Sequence, residues 1–173
     1  PIILMGYYNI ILNYGLENFV RSCKINGVDG IIIVDLQPEE DPQLLNLLNS
    51  TNIKLIRLIT PTTNKDRLKV ILKNASGFLY YVSITGITGQ NSANINELKK
   101  SIKEITKLTK LPIVSGFGIK NSKQVNEVCK ICEGAVVGSS IVNIIENNLH
   151  DTKIAINLIG SFVKKLKNGI NKK

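Results

Sequence analysis

Short apolar runs rich in β-branched residues alternate with amphipathic segments along the whole chain, and this alternation constrains the fold most strongly. Such near-continuous apolar runs that alternate with helices are typical of parallel strands covered by helices. The runs predicted as strands are residues 1–8, 30–36, 53–59, 77–83, 112–116 and 134–138. The segments predicted as helices are residues 15–26, 40–50, 64–74, 94–109, 121–131, 140–146 and 151–167. This order predicts an α/β fold.

Local signals support the helix boundaries and a single domain. Asn64, and either Asn121 or Ser122, can cap the helices that follow them. The chain of 173 residues is 43% hydrophobic, which is enough apolar material for one ordinary core. Because the sequence contains no linker, low-complexity tract or break in composition, we predict one domain over residues 1–173.

The composition argues against two classes of partner. A net charge of +9 could serve nucleic-acid binding, but the lysines are spread over helical segments, and aromatic residues make up only 5%. No apolar run approaches the roughly 20 residues that cross a bilayer, and the apolar start lacks the basic leader of a signal peptide. We therefore expect a cytoplasmic protein that binds neither nucleic acid nor membrane.

The cysteines do not indicate a metal or redox site. Their number is odd, which argues against a disulfide framework. Cys129 and Cys132 form a C-x-x-C, but the pair falls at the end of a predicted helix, where the helix dipole opposes a thiolate. The only histidine is His150. We interpret the three cysteines, Cys23 included, as structural thiols and predict no metal.

Glycine-rich turns near the end of the chain favour one architecture. A doubly wound sheet places such a turn after its first strand, whereas this chain has NIILNYG there. A (β/α)8 barrel often binds phosphate with the loops after its last two strands and the N-terminus of a short extra helix. The turns 116–118 (Gly-Phe-Gly) and 138–140 (Gly-Ser-Ser), followed by the helix predicted at 140–146, match that arrangement.

These turns predict a phosphate site. Glycines let backbone N–H groups approach an anion, and a helix N-terminus presents unpaired donors with a partial positive charge. Ser139 or Ser140 adds a hydroxyl, and a third turn at residues 85–89 could close over the same ligand. If the last strand is strand eight, residues 1–8 are strand three. Since a complete barrel takes about 250 residues, we expect an incomplete barrel of strands 3 to 8.

Six segments together resemble the tryptophan synthase α subunit family. They are PIILMGYYN (1–9), GVDGIIIVDLQPEE (27–40), ITPTT (59–63), FLYYVSITGITG (78–89), PIVSGFGI (112–119) and GAVVGSSIV (134–142). The resemblance implies a lyase of tryptophan biosynthesis that cleaves indole-3-glycerol phosphate to indole and glyceraldehyde 3-phosphate. It also implies an α2β2 assembly with a pyridoxal-phosphate-dependent β subunit, while the α chain itself carries no cofactor.

The resemblance also implies which residues bind. The phosphate site would consist of Gly89, Gly116, Gly118, Gly138 and Ser139. The indole pocket would consist of Met5, Tyr7, Ile32, Val34, Leu58, Tyr80, Thr88 and Phe117. Tyr80 would lie near the reacting carbon as an auxiliary catalytic residue, and residues 9–12 and 37–40 would contact the β subunit.

The catalytic acid and base are expected elsewhere. The cleavage needs an acid that protonates indole C3 and a base for the glycerol hydroxyl. The family takes them, a Glu and an Asp, from its second strand and the loop after it, so we expect them upstream of Pro1 and expect the isolated fragment to be inactive. Asp35 matches an acidic position of the family but neither of these two. It is better explained by the ordering of a loop or of the subunit contact than by catalysis.

Two alternatives remain open. One is another phosphate-binding barrel enzyme of histidine or tryptophan biosynthesis. It is less favoured because the strand at 53–59 ends in Ile-Thr-Pro, without a carboxylate. The other is a non-catalytic truncated chain that only binds phosphate or the β subunit.

Overall fold

The computed structural model describes residues 1–40, 42–83, 92–116 and 118–170. The chain divides into two units. The first unit comprises Pro1–Tyr80 and Leu108–Pro112, and the second comprises Tyr81–Lys107 and Ile113–Lys173. The single-domain interpretation of the sequence stays a prediction.

Strands and helices alternate as the sequence predicts. The strands are β1 (Ile3–Gly6), β2 (Gly30–Ile33), β3 (Lys54–Ile59), β4 (Leu79–Val82), β5 (Ile113–Gly116) and β6 (Gly134–Ala135). The helices are α1 (Tyr8–Tyr14), α2 (Leu16–Ile25), α3 (Pro42–Asn49), α4 (Lys65–Lys73), α5 (Ser92–Ile105), α6 (Ser122–Cys129), α7 (Ser139–Glu146) and α8 (Thr152–Asn168). A 3-10 helix occupies Pro38–Glu40. Every predicted strand is confirmed, although each is shorter than its apolar run, and every predicted helix is confirmed.

The strands pair in parallel and in chain order. β1 pairs with β2 and β2 with β3, and the register places Met5 beside Ile32 and Ile32 beside Ile56. β5 pairs with β6 in the same parallel sense. The order is β1-β2-β3-β4 in the first unit and β4-β5-β6 in the second, because β4 contributes residues to both. Parallel strands in chain order with intervening helices are the order of a (β/α)8 barrel, so the prediction of an incomplete barrel is confirmed.

Amphipathic helices cover the strands of the first unit. In α2 the buried residues are Leu16, Val20 and Cys23, and in α3 they are Leu44 and Leu48. Their spacing of three or four residues puts them on one helix face. These side chains pack with those of β2, which is buried at every position.

Side-chain caps fix three of the helix starts. Asn64 Oδ1 accepts from the Arg67 N–H at 2.8 Å at the start of α4. Of the two candidates before α6, Asn121 is the cap, and it accepts from Gln124 N–H at 3.0 Å. Asp151, which the sequence analysis did not identify, caps α8 through the N–H groups of the second and third helical residues.

Helix α1 was not predicted from the sequence, which placed a strand at residues 1–8 and the first helix at residues 15–26. The strand ends at Gly6, and the helix begins at Tyr8. Tyr7, at the N-cap position, provides no side-chain hydrogen bond. Asp35 provides it instead from the loop after β2, since its Oδ1 accepts from the Tyr8 N–H at 2.8 Å. The helix start therefore depends on a tertiary contact that no local motif encodes.

Ser115, in β5, is a fully buried polar side chain. It is 0% exposed, and its hydroxyl has no hydrogen-bond partner in the part of the chain that the structure describes. Because a buried, unpaired hydroxyl costs about 1–3 kcal/mol, we expect Ser115→Ala to raise the free energy of unfolding by about 1 kcal/mol.

Denaturant unfolding tests this prediction with Ser76→Ala as the matched control. The Ser76 hydroxyl accepts from the Leu55 N–H at 2.9 Å, so its removal should lower the free energy of unfolding by about 1 kcal/mol. A loss of stability in Ser115→Ala as large as that in the control would show that the Ser115 hydroxyl is paired in solution.

Candidate functional site

Two of the predicted phosphate turns meet at the strand ends of the second unit. The Val136 N–H donates to the Ser115 carbonyl at 2.9 Å, which continues the pairing of β5 and β6 beyond β6. A few residues later, the Ser140 hydroxyl donates to the Ile119 carbonyl at 3.2 Å. The turn after β5 and the turn after β6 are therefore joined at two points and form one local structure.

Helix α7 begins at these joined turns. Gly138 is its N-cap, and the Gly138 carbonyl accepts from the N–H groups of Ile141 at 2.8 Å and Val142 at 3.2 Å. Over the described ranges of the chain, the N–H groups of Ser139 and Ser140 have no acceptor. Both Gly138 and Ser139 are exposed. Unpaired N–H groups at an exposed helix start attract anions, so this end of α7 can bind a phosphate.

The glycines of these turns differ in whether the fold requires them. A Cβ at Gly116 would lie 2.5 Å from the Val136 carbonyl oxygen, so packing alone excludes a side chain. Gly118 has a φ of +66°, in the left-handed region that favours glycine. Gly138 has a φ of −117°, and an added Cβ would meet none of the described residues within 4 Å. No contact among the described residues therefore requires a glycine at 138, in contrast to position 116.

Three predicted site residues lie outside the described residues. They are Gly89 and Thr88, with the rest of the turn 85–89, and Phe117. Their assignment to the phosphate site or the indole pocket stays a prediction.

The strands of the first unit bring the predicted indole-pocket side chains onto one face. The register joins Met5, Ile32 and Ile56 across β1, β2 and β3. Every second residue of a strand shares a face, so the residues two positions later extend the same row toward the strand ends. The predicted pocket residues in this row are Met5, Tyr7, Ile32, Val34 and Leu58. Met5 is 58% exposed and Tyr7 is 56% exposed, whereas Ile32 and Ile56 are buried, so the open part of this face lies along β1.

Tyr80 lies in β4 and is half-buried. Its neighbours Leu79 and Tyr81 are buried, so the Tyr80 side chain lies on the opposite face of the strand. Burial raises the pKa of the Tyr80 phenol. Near neutral pH the phenol is therefore protonated and can donate a hydrogen bond.

Asp35 is exposed and engaged at the start of α1. Its Oδ1 accepts from the Tyr8 N–H at 2.8 Å. The carboxylate thus satisfies one of the unpaired N–H groups of the helix and lies at the favourable end of its dipole. This contact supports the interpretation that Asp35 orders the loop, and a catalytic role for Asp35 stays a prediction.

Two arginines hold the loop after β2, and the sequence analysis missed both. Arg57 is 5% exposed, and its Nη1 donates to the Leu36 carbonyl at 3.3 Å. Arg67 donates to the Glu39 carboxylate and to the Gln37 side-chain oxygen. Burial lowers the pKa of Arg57 to about 10, against the charge of Glu39, so Arg57 stays protonated near neutral pH. The available signal was a single arginine within the apolar strand IKLIRLI.

The cysteines lie in or beside the core. None of the three, all of which are described residues, forms a disulfide, Cys23 and Cys132 are buried, and burial raises the pKa of the Cys23 thiol. Among the residues that the structure describes, no three His, Cys, Asp or Glu side chains come together as metal ligands do. No helix in those same residues has the length and apolar character to cross a membrane.

Known proteins match this chain along almost its whole length. A family model described as the tryptophan synthase alpha chain matches residues 1–171. The tryptophan synthase alpha chain of Legionella pneumophila is 33% identical with a TM-score of 0.85, over 98% of this chain and 62% of that one. The alpha subunit of Campylobacter jejuni is 38% identical with a TM-score of 0.82, over 92% of this chain and 64% of that one.

A structure of the tryptophan synthase α2β2 complex of Pyrococcus furiosus also matches. It is 31% identical with a TM-score of 0.82, over 97% of this chain and 67% of that one. The chain thus spans 62% of the length of the Legionella relative. Since the family model covers almost every residue and the folds agree at more than 30% identity, this chain belongs to the tryptophan synthase α-chain family.

Proposed function

We propose that this chain provides the substrate-binding part of a tryptophan synthase α chain, the lyase that cleaves indole-3-glycerol phosphate to indole and glyceraldehyde 3-phosphate. The observation that most supports this proposal is the geometry at the start of α7. There, Gly138 leaves open space, and the N–H groups of Ser139 and Ser140 are unpaired in the described chain. The substrate phosphate accepts from these two groups and from the Ser139 hydroxyl. The positive end of the helix dipole adds to the attraction.

The apolar face of the first unit suits an indole ring. Met5, Tyr7 and Val34 are exposed there at 58%, 56% and 40%. A flat aromatic ligand that covered them would remove apolar surface from water, which is the main source of affinity in such sites. We assign indole binding to this face, with the protonated Tyr80 phenol as a hydrogen-bond donor.

The acid and the base of the cleavage are not among the candidates in residues 1–173. A retro-aldol cleavage needs one group that protonates indole C3 and another that removes the glycerol hydroxyl proton. Asp35 is held by the Tyr8 N–H at 2.8 Å, and Tyr80 is an acid weaker than an ordinary tyrosine because burial raises its pKa. In this proposal both catalytic carboxylates come from other residues of the α chain. The α chain uses no metal or cofactor of its own, and pyridoxal phosphate belongs to the β subunit.

Helix α1 and the loop after β2 together form the proposed contact with the β subunit. Helix α1 presents Ile10 at 63% exposure and Leu12 at 50% exposure. The 3-10 helix Pro38–Glu40, in the loop bonded to the same end of α1 through Asp35, adds polar groups. An apolar patch with a polar rim is typical of protein interfaces. The α2β2 complex of Pyrococcus furiosus, whose α chain resembles this one, supports the same partner.

Indole release from indole-3-glycerol phosphate tests the proposal. We expect no release by residues 1–173 alone. We expect release when the chain is mixed with the N-terminal third of the Campylobacter jejuni α subunit, which contains the strand and loop that carry the acid and base in the family. The same mixture with Gly138→Asp should be inactive.

Two results would contradict parts of this account. Release by residues 1–173 alone would show that the acid and base are within this chain, and Asp35→Asn and Tyr80→Phe would then identify them. A mixture that neither releases indole nor binds glycerol 3-phosphate would contradict the assignment of the phosphate site.

A further inference from the structure

The loop after β2 is held by guanidinium groups from two different elements. Arg57, in β3, donates to the Leu36 carbonyl at 3.3 Å. Arg67, in α4, bonds both Glu39 and Gln37. A guanidinium has several donors in one plane and can bridge two acceptors at once, whereas a lysine ammonium acts as a single point charge. The Arg67 side chain therefore fixes two positions of the loop at the same time.

Arg67 is itself well placed to act as an anchor. It lies in the first turn of α4, and its own N–H is bonded to the Asn64 cap at 2.8 Å. Its side chain is 33% exposed and that of Glu39 is 54% exposed, so the pair is only partly shielded from solvent. Arg67 holds the pKa of the Glu39 carboxyl below its usual range, and the carboxylate stays ionised near neutral pH. A charged Glu39 is thus available to the Arg67 guanidinium near neutral pH.

The same loop determines the position of helix α1. Asp35 directly precedes Leu36, and its carboxylate accepts from the Tyr8 N–H at 2.8 Å, where α1 begins. Leu36 is buried at 6% exposure. A continuous set of contacts therefore runs from Arg67 through the loop to Asp35 and the start of α1.

We propose that Arg67 is a positioning residue for the partner-binding surface. It holds residues 36–40 in the conformation in which Asp35 anchors α1, so that loop and helix meet the β subunit as one ordered surface. The inference rests on the proposed function, in which these two segments bind the β subunit. A surface ordered before binding loses less conformational entropy on association. Loss of the bridge should weaken binding but should not alter the complex once it has formed.

The first test needs only this chain. Arg67→Lys keeps the charge but lacks the planar, forked guanidinium with which Arg67 reaches Gln37 and Glu39 at the same time. We expect amide hydrogen exchange at Tyr8 and at residues 36, 37, 39 and 40 to become about threefold faster, the size of effect expected for a partly exposed ion pair. The matched control is Lys69→Ala, which breaks an exposed pair with Asp66 on the same helix, at 2.9 Å, and should leave exchange in both places unchanged.

The second test is a titration with the tryptophan synthase β subunit of the same organism. We expect Arg67→Lys to raise the Kd about threefold and to leave the activity of the β subunit at saturation unchanged, a split that a general loss of structure would not give. Glu39→Gln removes the charge on the other side of the bridge and should raise the Kd by a similar factor. It also replaces Arg67→Lys in the test if that variant does not fold. Lys69→Ala should bind as the parent chain does.

The outcomes separate this inference from the proposed function. If the parent chain does not bind the β subunit, the proposed partner is wrong and this inference falls with it. If the parent binds but both bridge variants bind equally well, or exchange at Tyr8 stays slow in both of them, Arg67 has no positioning role, and the proposed function is unaffected.

Discussion

Gly138→Asp should abolish phosphate binding by this chain without destabilising it. An aspartate at the N-cap of α7 can accept from the N–H groups of the first turn, the same donors that the phosphate would use. Its carboxylate also repels a phosphate dianion at close range. We expect the fold to tolerate the side chain, because an added Cβ at 138 meets nothing within 4 Å in the part of the chain that the structure describes. We expect affinity for phosphate to fall about 100-fold or more and stability to rise by about 0.5 kcal/mol.

Isothermal titration with glycerol 3-phosphate, together with denaturant unfolding, measures both effects. Gly138→Asn is the matched control, since asparagine has the same size and capping ability but no charge, and its loss of affinity should be about tenfold. Binding by Gly138→Asp that equals that of the parent chain would mean that the start of α7 is not the phosphate site.

Gly116→Ala should destabilise the chain, by about 3 kcal/mol. The added Cβ would lie 2.5 Å from the Val136 carbonyl oxygen and 2.6 Å from the Val136 Cβ. Backbone must therefore move, and the 2.9 Å hydrogen bond from the Val136 N–H to the Ser115 carbonyl lies at the point of movement. The loss arises from the fold and should appear without any ligand, in contrast to the effect at Gly138.

Gly160→Ala is the control for this second variant. Gly160 is an exposed residue inside α8, and an added Cβ meets nothing within 4 Å. Alanine is the better helix former, so this substitution should stabilise by about 1 kcal/mol. Equal unfolding free energies for Gly116→Ala and the parent chain would show that β6 can shift aside at little cost.

Much of the fold was predictable because each element carries its own pattern. Buried strands such as β2 appear as continuous apolar runs, and helices such as α4 combine an apolar stripe with a capping asparagine. Helix α1 was not predictable in this way. Only Ile11 is buried among its residues, and its cap comes from Asp35, which lies 27 residues beyond Tyr8. A helix start that depends on a distant loop leaves no signature in its own sequence.

In the candidate site, too, some features were predictable from the sequence and others were not. The glycine turns were predictable because strand ends in parallel sheets meet at one edge, and the contact between Ser140 and Ile119 joins two of them. Gly116 and Gly138 differ in the space around them, and this difference could be seen only once the neighbours of each residue were known. The bridge made by Arg67 was missed because an arginine in an amphipathic helix looks like any solvated charge until the loop that it holds is in place.

Backbone and methyl chemical shifts during a titration with indole-3-glycerol phosphate test the central claim most directly. The account predicts saturable shifts at the amides of Ser139 and Ser140 that glycerol 3-phosphate reproduces, and a shift of the Met5 methyl group that requires the indole ring. Shifts confined to the lysine-rich helix faces that do not saturate, with the amides of Ser139 and Ser140 unmoved, would contradict it.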